Sequence, residues 1–219
     1  MLAESQLMAL RAQMNPHFVF NCLNSIQECI VTEKYGEASK YLNKFSKLFR
    51  SVLNNSGKKL VCIDEEIEVL VLYLELEQMR FEQSFTYEMI IDEDLERDEI
   101  LLPSMLLQPY VENALWHGLM HKNGERKMKI TFKRINEEIF RCTIDDNGIG
   151  RKKSYELKEQ QSKAKRHESK GLKISKDRLS LIELQGYHAS INIIDKYDAS
   201  GEAAGTTVEI ELSAYLKNI

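Results

Sequence analysis

Apolar residues in the first quarter of the chain recur every three or four positions. Leu7, Leu10 and Met14, then Phe18, Cys22, Ile26 and Cys29, draw one stripe; Ala38, Tyr41, Phe45, Leu48 and Val52 draw a second. This period predicts two helices, one over residues 2 to about 33, ended by Tyr35-Gly36, and a second carrying Ala38 to Val52, closed by Asn54-Asn55-Ser56-Gly57, joined by a short turn. Pro16 lies inside the first pattern, where it removes one backbone donor and predicts a kink. Two helices cannot bury two wide apolar stripes between them, so the expectation is a dimeric four-helix bundle.

After a break near residues 56 to 62 the pattern becomes mixed. Asp64-Glu65-Glu66 places acidic charge at the start of a third helix, roughly 65 to 80, rich in Leu and Val. Alternation over residues 85 to 91 predicts a strand. Pro103 is expected to open a long helix over 104 to 120, and Pro109 inside it implies a kink or a restarted helix. Residues 127 to 135 and 139 to 144 read as a strand pair across Asn136-Glu137-Glu138. Between 151 and 176 there are ten Lys and Arg against three Glu, and almost nothing apolar before Leu172. Such a stretch predicts a mobile basic lid, about 151 to 170, over an anionic ligand. A helix over 171 to 185 and strands over 189 to 194 and 206 to 212 complete the chain. The fold class is α+β: a helical dimerisation region, 1–58, followed by a mainly antiparallel mixed sheet packed with helices, 59–219.

Composition narrows the function classes. The 219 residues are 43% hydrophobic, enough for a sizeable core. The formal net charge of −4 supplies no global basic field, so nucleic acid is not an expected partner. Cys22, Cys29, Cys62 and Cys142 have no CxxC spacing and suit reduced thiols rather than a disulfide framework or a zinc site. No apolar run approaches the ~18 residues of a membrane span, and no signal peptide is legible. The expectation is a cytoplasmic segment without membrane contact of its own.

Chemistry concentrates in two stretches. Asp145-Asp146-Asn147-Gly148-Ile149-Gly150 follows the strand at Ile139–Ile144. Glycines let backbone approach a flat ligand, and a carboxylate can accept a hydrogen bond from an exocyclic amine such as that of adenine. In Gln108-Pro109-Tyr110-Val111-Glu112-Asn113-Ala114-Leu115-Trp116-His117-Gly118, Asn113 and His117 are four apart and share a helical face, with small Ala114 beside them. An amide oxygen suits Mg²⁺, which takes phosphate oxygens for part of its shell, and an imidazole can donate to phosphate.

The order of these elements resembles the ATP-binding domain shared by histidine kinases, gyrase, Hsp90 and MutL, the Bergerat fold. It runs from Asn113-Ala114 and His117 through Asp146-x-Gly148-x-Gly150, then Gly171-Leu172 opening a helix after a basic lid, to Gly205-Thr206-Thr207-Val208-Glu209-Ile210. The segment Asn15-Pro16-His17-Phe18-Val19-Phe20-Asn21 resembles the phosphoacceptor motif of LytS/YehU-type sensor histidine kinases, and Gln108-Pro109-x-Val111-Glu112-Asn113-Ala114 is similar to a pattern of the same family. The resemblance implies ATP and Mg²⁺ as cofactors and His17 as phosphoacceptor. It implies Asn113 as the Mg²⁺ ligand, Asp146 as the adenine contact walled by Gly148 and Gly150, and Thr206 in support. It also places Gly171 and Leu172 in the second glycine motif, next to Lys170, with His117 toward the phosphates. A homodimer, a response-regulator receiver domain as partner and a membrane-anchored parent sensor are implied in the same way.

The chain departs from that pattern twice. Trp116 stands where the family usually has Lys, and Ser169-Lys170-Gly171-Leu172, with Ile174 after it, stands where Gly-x-Gly-Leu and then Asn are usual. These departures carry the alternative of a degenerate nucleotide-binding or dimerisation module. An ATP hydrolase of the gyrase type is disfavoured: the position one turn before Asn113 is Pro109, and Glu112 is rotated about 100° away by the helical period.

Overall fold

The computed structural model describes residues 16–161, 170–184 and 186–214. The chain divides into two compact units: one runs through Ser84 and takes in Pro103–Met105, and the other comprises Phe85–Leu102 and the chain from Leu106 onward.

The first unit is built on three helices: α1 (Pro16–Val31), α2 (Tyr35–Ser56) and α3 (Ile63–Arg80), with a short strand, β1 (Leu60–Cys62), before the third. Within the described residues α1 runs from Pro16 to Val31; the stretch 2–15, read as helix continuing to a kink or local break at Pro16, lies outside the described residues. Phe18, Cys22 and Ile26 bury one face of α1, and Ala38, Tyr41, Leu48 and Val52 bury one face of α2, as the spacing predicts. The third helix takes up part of both stripes. The Phe18 and Tyr73 rings lie 5.0 Å apart, the Tyr41 hydroxyl donates to the Leu76 carbonyl at 3.2 Å, and Lys44 pairs with Glu75. This explains why α3 is apolar on most sides: Val69, Leu70, Tyr73, Leu74 and Leu76 are all buried. Its start is fixed by Glu65, whose carboxylate accepts from the Cys62 N–H at 3.2 Å, and Glu66 accepts from the Met105 N–H at 2.8 Å. The compact division therefore falls one helix later than the break read at residues 56 to 62. Large apolar side chains remain on the outside, among them Phe20, Leu23, Ile30 and Val31 of α1 and Leu42 and Leu53 of α2.

The second unit holds a five-stranded sheet in the order β2-β4-β5-β7-β6, formed by Thr86–Ile91, Lys127–Arg134, Ile139–Asp146, Ala203–Ser213 and Ala189–Tyr197 respectively. The β2–β4 pair is parallel and the rest are antiparallel, so the sheet is mixed and mainly antiparallel as expected. Period two sorts the faces: Met128, Ile130, Phe132, Phe140, Cys142, Ile144, Val208, Ile210 and Leu212 are buried, while Lys129, Arg141, Asp145, Glu209 and Glu211 lie on the polar side. Arg141 pairs there with Glu211 and Glu209.

The reading of Pro103 is corrected. Pro103 does not open a helix; it ends strand β3 (Leu101–Pro103), and Met105 takes a φ of 56°, which no helix continues through. The helix, α4, starts at Gln108 and runs to Asn113, so Pro109 sits in the first turn of a restarted helix, one of its two expected outcomes, rather than at a kink. From Ala114 to Leu119 the winding widens to a π-helix, with the Met120 N–H donating to the Leu115 carbonyl at 2.9 Å. The basic stretch also begins as a helix that its composition did not predict: α5 covers Gly150–Gln161, and α6 follows over Lys170–Leu184.

Candidate functional site

Strand β5 positions the central carboxylate. The strand extends two residues further than its apolar run suggests, to Asp146, whose alternation places it on the core face in line with Phe140, Cys142 and Ile144. Asp145 falls on the opposite face, held by Lys196 at 2.7 Å and by the Thr207 hydroxyl. A carboxylate at the buried end of a core strand is expensive unless paired or bound to a ligand. Asp146 is only 3% exposed, and the loop behind it partly compensates: the Gly148 N–H donates to Oδ1 at 2.7 Å. Burial pushes its pKa up to about 6, against the lowering influence of Gly148, Lys196 and the Thr206 backbone.

Glycines surround this carboxylate because nothing larger fits. A Cβ on Gly148 would lie 2.4 Å from the Gly118 carbonyl carbon, and one on Gly118 would lie 2.9 Å from Asp146 Oδ1. Gly205 has a φ of 129°, and a Cβ there would lie 2.1 Å from the Asp146 carbonyl oxygen. Gly150, with a φ of 73°, turns the chain from the loop into α5. The Ile149 N–H, donating to the Gly118 carbonyl at 3.2 Å, ties the loop to the π-helix.

A cavity of about 190 Å³ opens in front of Asp146. Asn113, His117, Gly150, Leu172 and Thr206, named from sequence, line it together with Asp146. The π-winding matters here: a wider turn brings both His117 and Gly118 round to the face that carries Asn113 and Ala114. The Asn113 amide nitrogen donates back to the Pro109 carbonyl, which turns the amide oxygen away from the helix backbone. That oxygen is a hard donor of the type Mg²⁺ accepts. Gly148 supports Asp146 from behind rather than lining the cavity, and the backbone of Lys170 and Gly171 belongs to α6. Trp116 is half-buried on the π-helix and does not line the cavity. Ser169 lies outside the described residues.

Other lining residues had no reading from sequence: Tyr110 on α4, Arg151, Ser154 and Tyr155 on α5, Lys176 on α6 and Ile193 on β6. Arg151 makes a two-pronged pair with Asp195, 2.7 Å at each contact, which fixes the first turn of α5 against β6. Lys176 was legible in principle, since it lies four residues after Leu172 on the same helical face. Glu112, next to Asn113, accepts from the Gln108 amide at 2.9 Å and does not line the cavity; burial raises its pKa.

His17 belongs to the other unit. It is exposed on α1, with its Nδ1 3.1 Å from the Asn21 amide nitrogen. No group of three or more His, Cys, Asp or Glu side chains placed to hold a metal ion occurs among the described residues. No helix among them is long and apolar enough to cross a membrane.

Known proteins share this sequence and fold. The histidine kinase family model matches residues 5–85. The chain is 35% identical over 150 residues to the sensor protein LytS of Bacillus subtilis (strain 168), and 33% identical over 147 residues to the sensor histidine kinase BtsS of Escherichia coli (strain K12). These matches cover 68% and 67% of the chain, and in each case 25% of the relative's own length. Among solved structures, the histidine kinase domain of the blue-light activated histidine kinase EL346 from Erythrobacter litoralis superposes with a TM-score of 0.51 at 14% identity, covering 96% of this chain and 91% of that one, which supports the fold. The chain belongs to the sensor histidine kinases of the LytS type.

Proposed function

We propose that this chain is the transmitter part of a two-component sensor kinase, which binds ATP with Mg²⁺ and transfers the γ-phosphoryl group to His17. The observation that carries the reading is Asp146, a carboxylate buried at the end of a core strand, lining a cavity together with Asn113 and His117. Asp146 accepts the adenine amine, with Gly148 and Gly150 shaping that wall and Thr206 beside it. Asn113 would hold Mg²⁺, which neutralises phosphate charge, while His117, Lys170, Gly171 and Leu172 border the phosphates. Phosphoryl transfer asks mainly for positioning and charge neutralisation, so no carboxylate base is needed at the cavity; Pro109 occupies the place where a hydrolase would carry one. A response-regulator receiver aspartate then takes the phosphoryl group.

The reading extends to assembly and location. The apolar residues left outside on α1 and α2, with Phe20 66% and Val31 74% exposed, support a homodimer through the helical region. The segment works on the cytoplasmic side of a membrane-anchored parent, as its sensor relatives suggest.

Incubation with Mg²⁺ and γ-labelled ATP, beside His17→Ala, tests the kinase. Label on the wild type alone, lost in acid and stable in base, is the expected result. Label persisting in His17→Ala would move the acceptor elsewhere, and bound ATP without label would favour the degenerate module. A monomer at high concentration in sedimentation would remove the dimer.

A further inference from the structure

Three strand ends line up on the floor of the cavity. In the ladder Asp146 of β5 stands opposite Thr206 of β7, and Thr206 stands opposite Asp195 of β6. Residues two apart on a strand share a face, so all three lie on the core side, with Ile144, Val208 and Ile193 in the row behind them. Asp146, Thr206, Val208 and Ile193 line the cavity. The front row therefore carries a carboxylate at each end, with Cα atoms two strand spacings, roughly 10 Å, apart.

The two carboxylates are treated differently. Asp146 lines the cavity. Asp195 does not; Arg151, which does, is bonded to it from α5. The guanidinium Nε donates to Oδ1 and Nη2 donates to Oδ2, each at 2.7 Å, so both oxygens of Asp195 are occupied. These bonds hold the Asp195 carboxyl below its ordinary range and keep it ionised. The pair adds little to the stability of the fold, because its side chains are 42% and 34% exposed and water screens such pairs. Its effect on the charge of the cavity is larger. A bare Asp195 would set a second anion in the floor of a site assigned to a polyanion, and a second acceptor for an exocyclic amine.

We propose that Arg151 masks Asp195, so that the cavity presents one carboxylate, Asp146, and the nucleotide binds in one orientation. This rests on the cavity being the ATP site. With Asp195 bare, the base amine has two acceptors in the same row, and the phosphates meet an uncompensated negative charge. Neutral adenosine meets only the first of these changes, whereas ATP meets both.

The test is calorimetry of the full chain with Mg²⁺-ATP and with adenosine, for the wild type, Arg151→Gln, Arg151→Lys and the double variant Arg151→Gln/Asp195→Asn. Arg151→Gln is expected to bind ATP about ten-fold more weakly at low salt, the order of a repulsion between a carboxylate and Mg²⁺-ATP at such distances, and the loss is expected to shrink as salt rises. The same variant is expected to bind adenosine as tightly as the wild type or more tightly. Lysine keeps the charge, so Arg151→Lys is expected to retain the affinity for ATP. The double variant has no charge to mask and is expected to return ATP binding to near the wild-type value. Loss of ATP and adenosine alike in Arg151→Gln would reduce the pair to a brace for α5 and overturn the proposal. A double variant as weak as Arg151→Gln would mean that the guanidinium itself holds phosphate, and would overturn it too. A wild type that binds neither ligand would remove the nucleotide reading and this inference with it. A wild type that binds ATP, beside an unchanged Arg151→Gln, would overturn this inference alone.

Discussion

Gly118 and Asp146 touch so closely that the hydrogen on the glycine is part of the site: a methyl group there would lie 2.9 Å from the carboxylate Oδ1. The oxygen cannot move away freely, because the Gly148 N–H holds it at 2.7 Å. Gly118→Ala is therefore expected to displace the carboxylate and weaken ATP binding about ten-fold while the chain still folds. Gly148→Ala meets the Gly118 backbone, and Gly205→Ala combines a φ of 129° with a 2.1 Å clash, so both are expected to cost more, about 1–3 kcal/mol or above. Titration with ATP and thermal melting of the three variants check the ranking; equal effects would remove the argument from contact geometry.

Asp146→Asn separates stability from binding. The amide keeps an oxygen for the Gly148 N–H and removes a buried charge whose ionisation the fold disfavours. The variant is expected to be as stable as the wild type near pH 7 or more so, by on the order of 1–2 kcal/mol. It is expected to lose ATP binding, because the adenine amine meets an amide that presents one acceptor and two donors. Unchanged affinity, measured by calorimetry, would refute the pocket assignment.

The same carboxyl sets a pH dependence. Its folded pKa of about 6 lies above the ordinary value of 3.8, so between these limits the folded chain holds a proton that the unfolded chain has released. The contribution of Asp146 to stability is therefore full below about pH 3.8 and is lost as pH rises through 6. ATP binding runs the other way: it needs the ionised acceptor and is expected to fall about ten-fold per unit below pH 6. A binding constant flat from pH 5 to 7.5 would contradict this.

Burial orders the thiols. Cys22 is fully buried against Tyr41, and desolvation pushes its pKa up to about 12; Cys142 is buried within β5. Cys29 and Cys62, both half-buried, are expected to alkylate first in the native chain, with Cys22 and Cys142 reacting only on unfolding. Mass-mapped labelling over time gives the order. Tyr41→Phe, which removes the donor to the Leu76 carbonyl, is expected to cost about 1 kcal/mol in denaturant melts.

Periodicity alone determined much of this protein. The three- and four-residue spacing through Phe18, Cys22 and Ile26 marked the buried face of α1, and Ala38, Tyr41, Leu48 and Val52 marked that of α2, because a helix repeats every 3.6 residues whatever covers it. Alternation marked the strands, and the glycine and asparagine motifs picked out Asn113, His117, Asp146, Gly150, Leu172 and Thr206 as lining residues. What covers a stripe is a tertiary matter. The third helix α3 supplies Tyr73 and Leu76 to part of both stripes, while Phe20, Leu23, Ile30 and Val31 stay exposed. Local pattern misjudged Pro103 and left Pro109 between a kink and a restarted helix, since the positive φ of Met105 between them separates a strand end from a helix start. The π-winding after Asn113, the pairing of Arg151 with Asp195 and the close approach of Gly118 to Asp146 join residues through hydrogen bonds and contacts between separate elements. Only the folded chain brings those partners within reach, so only the tertiary structure decided the shape of the cavity.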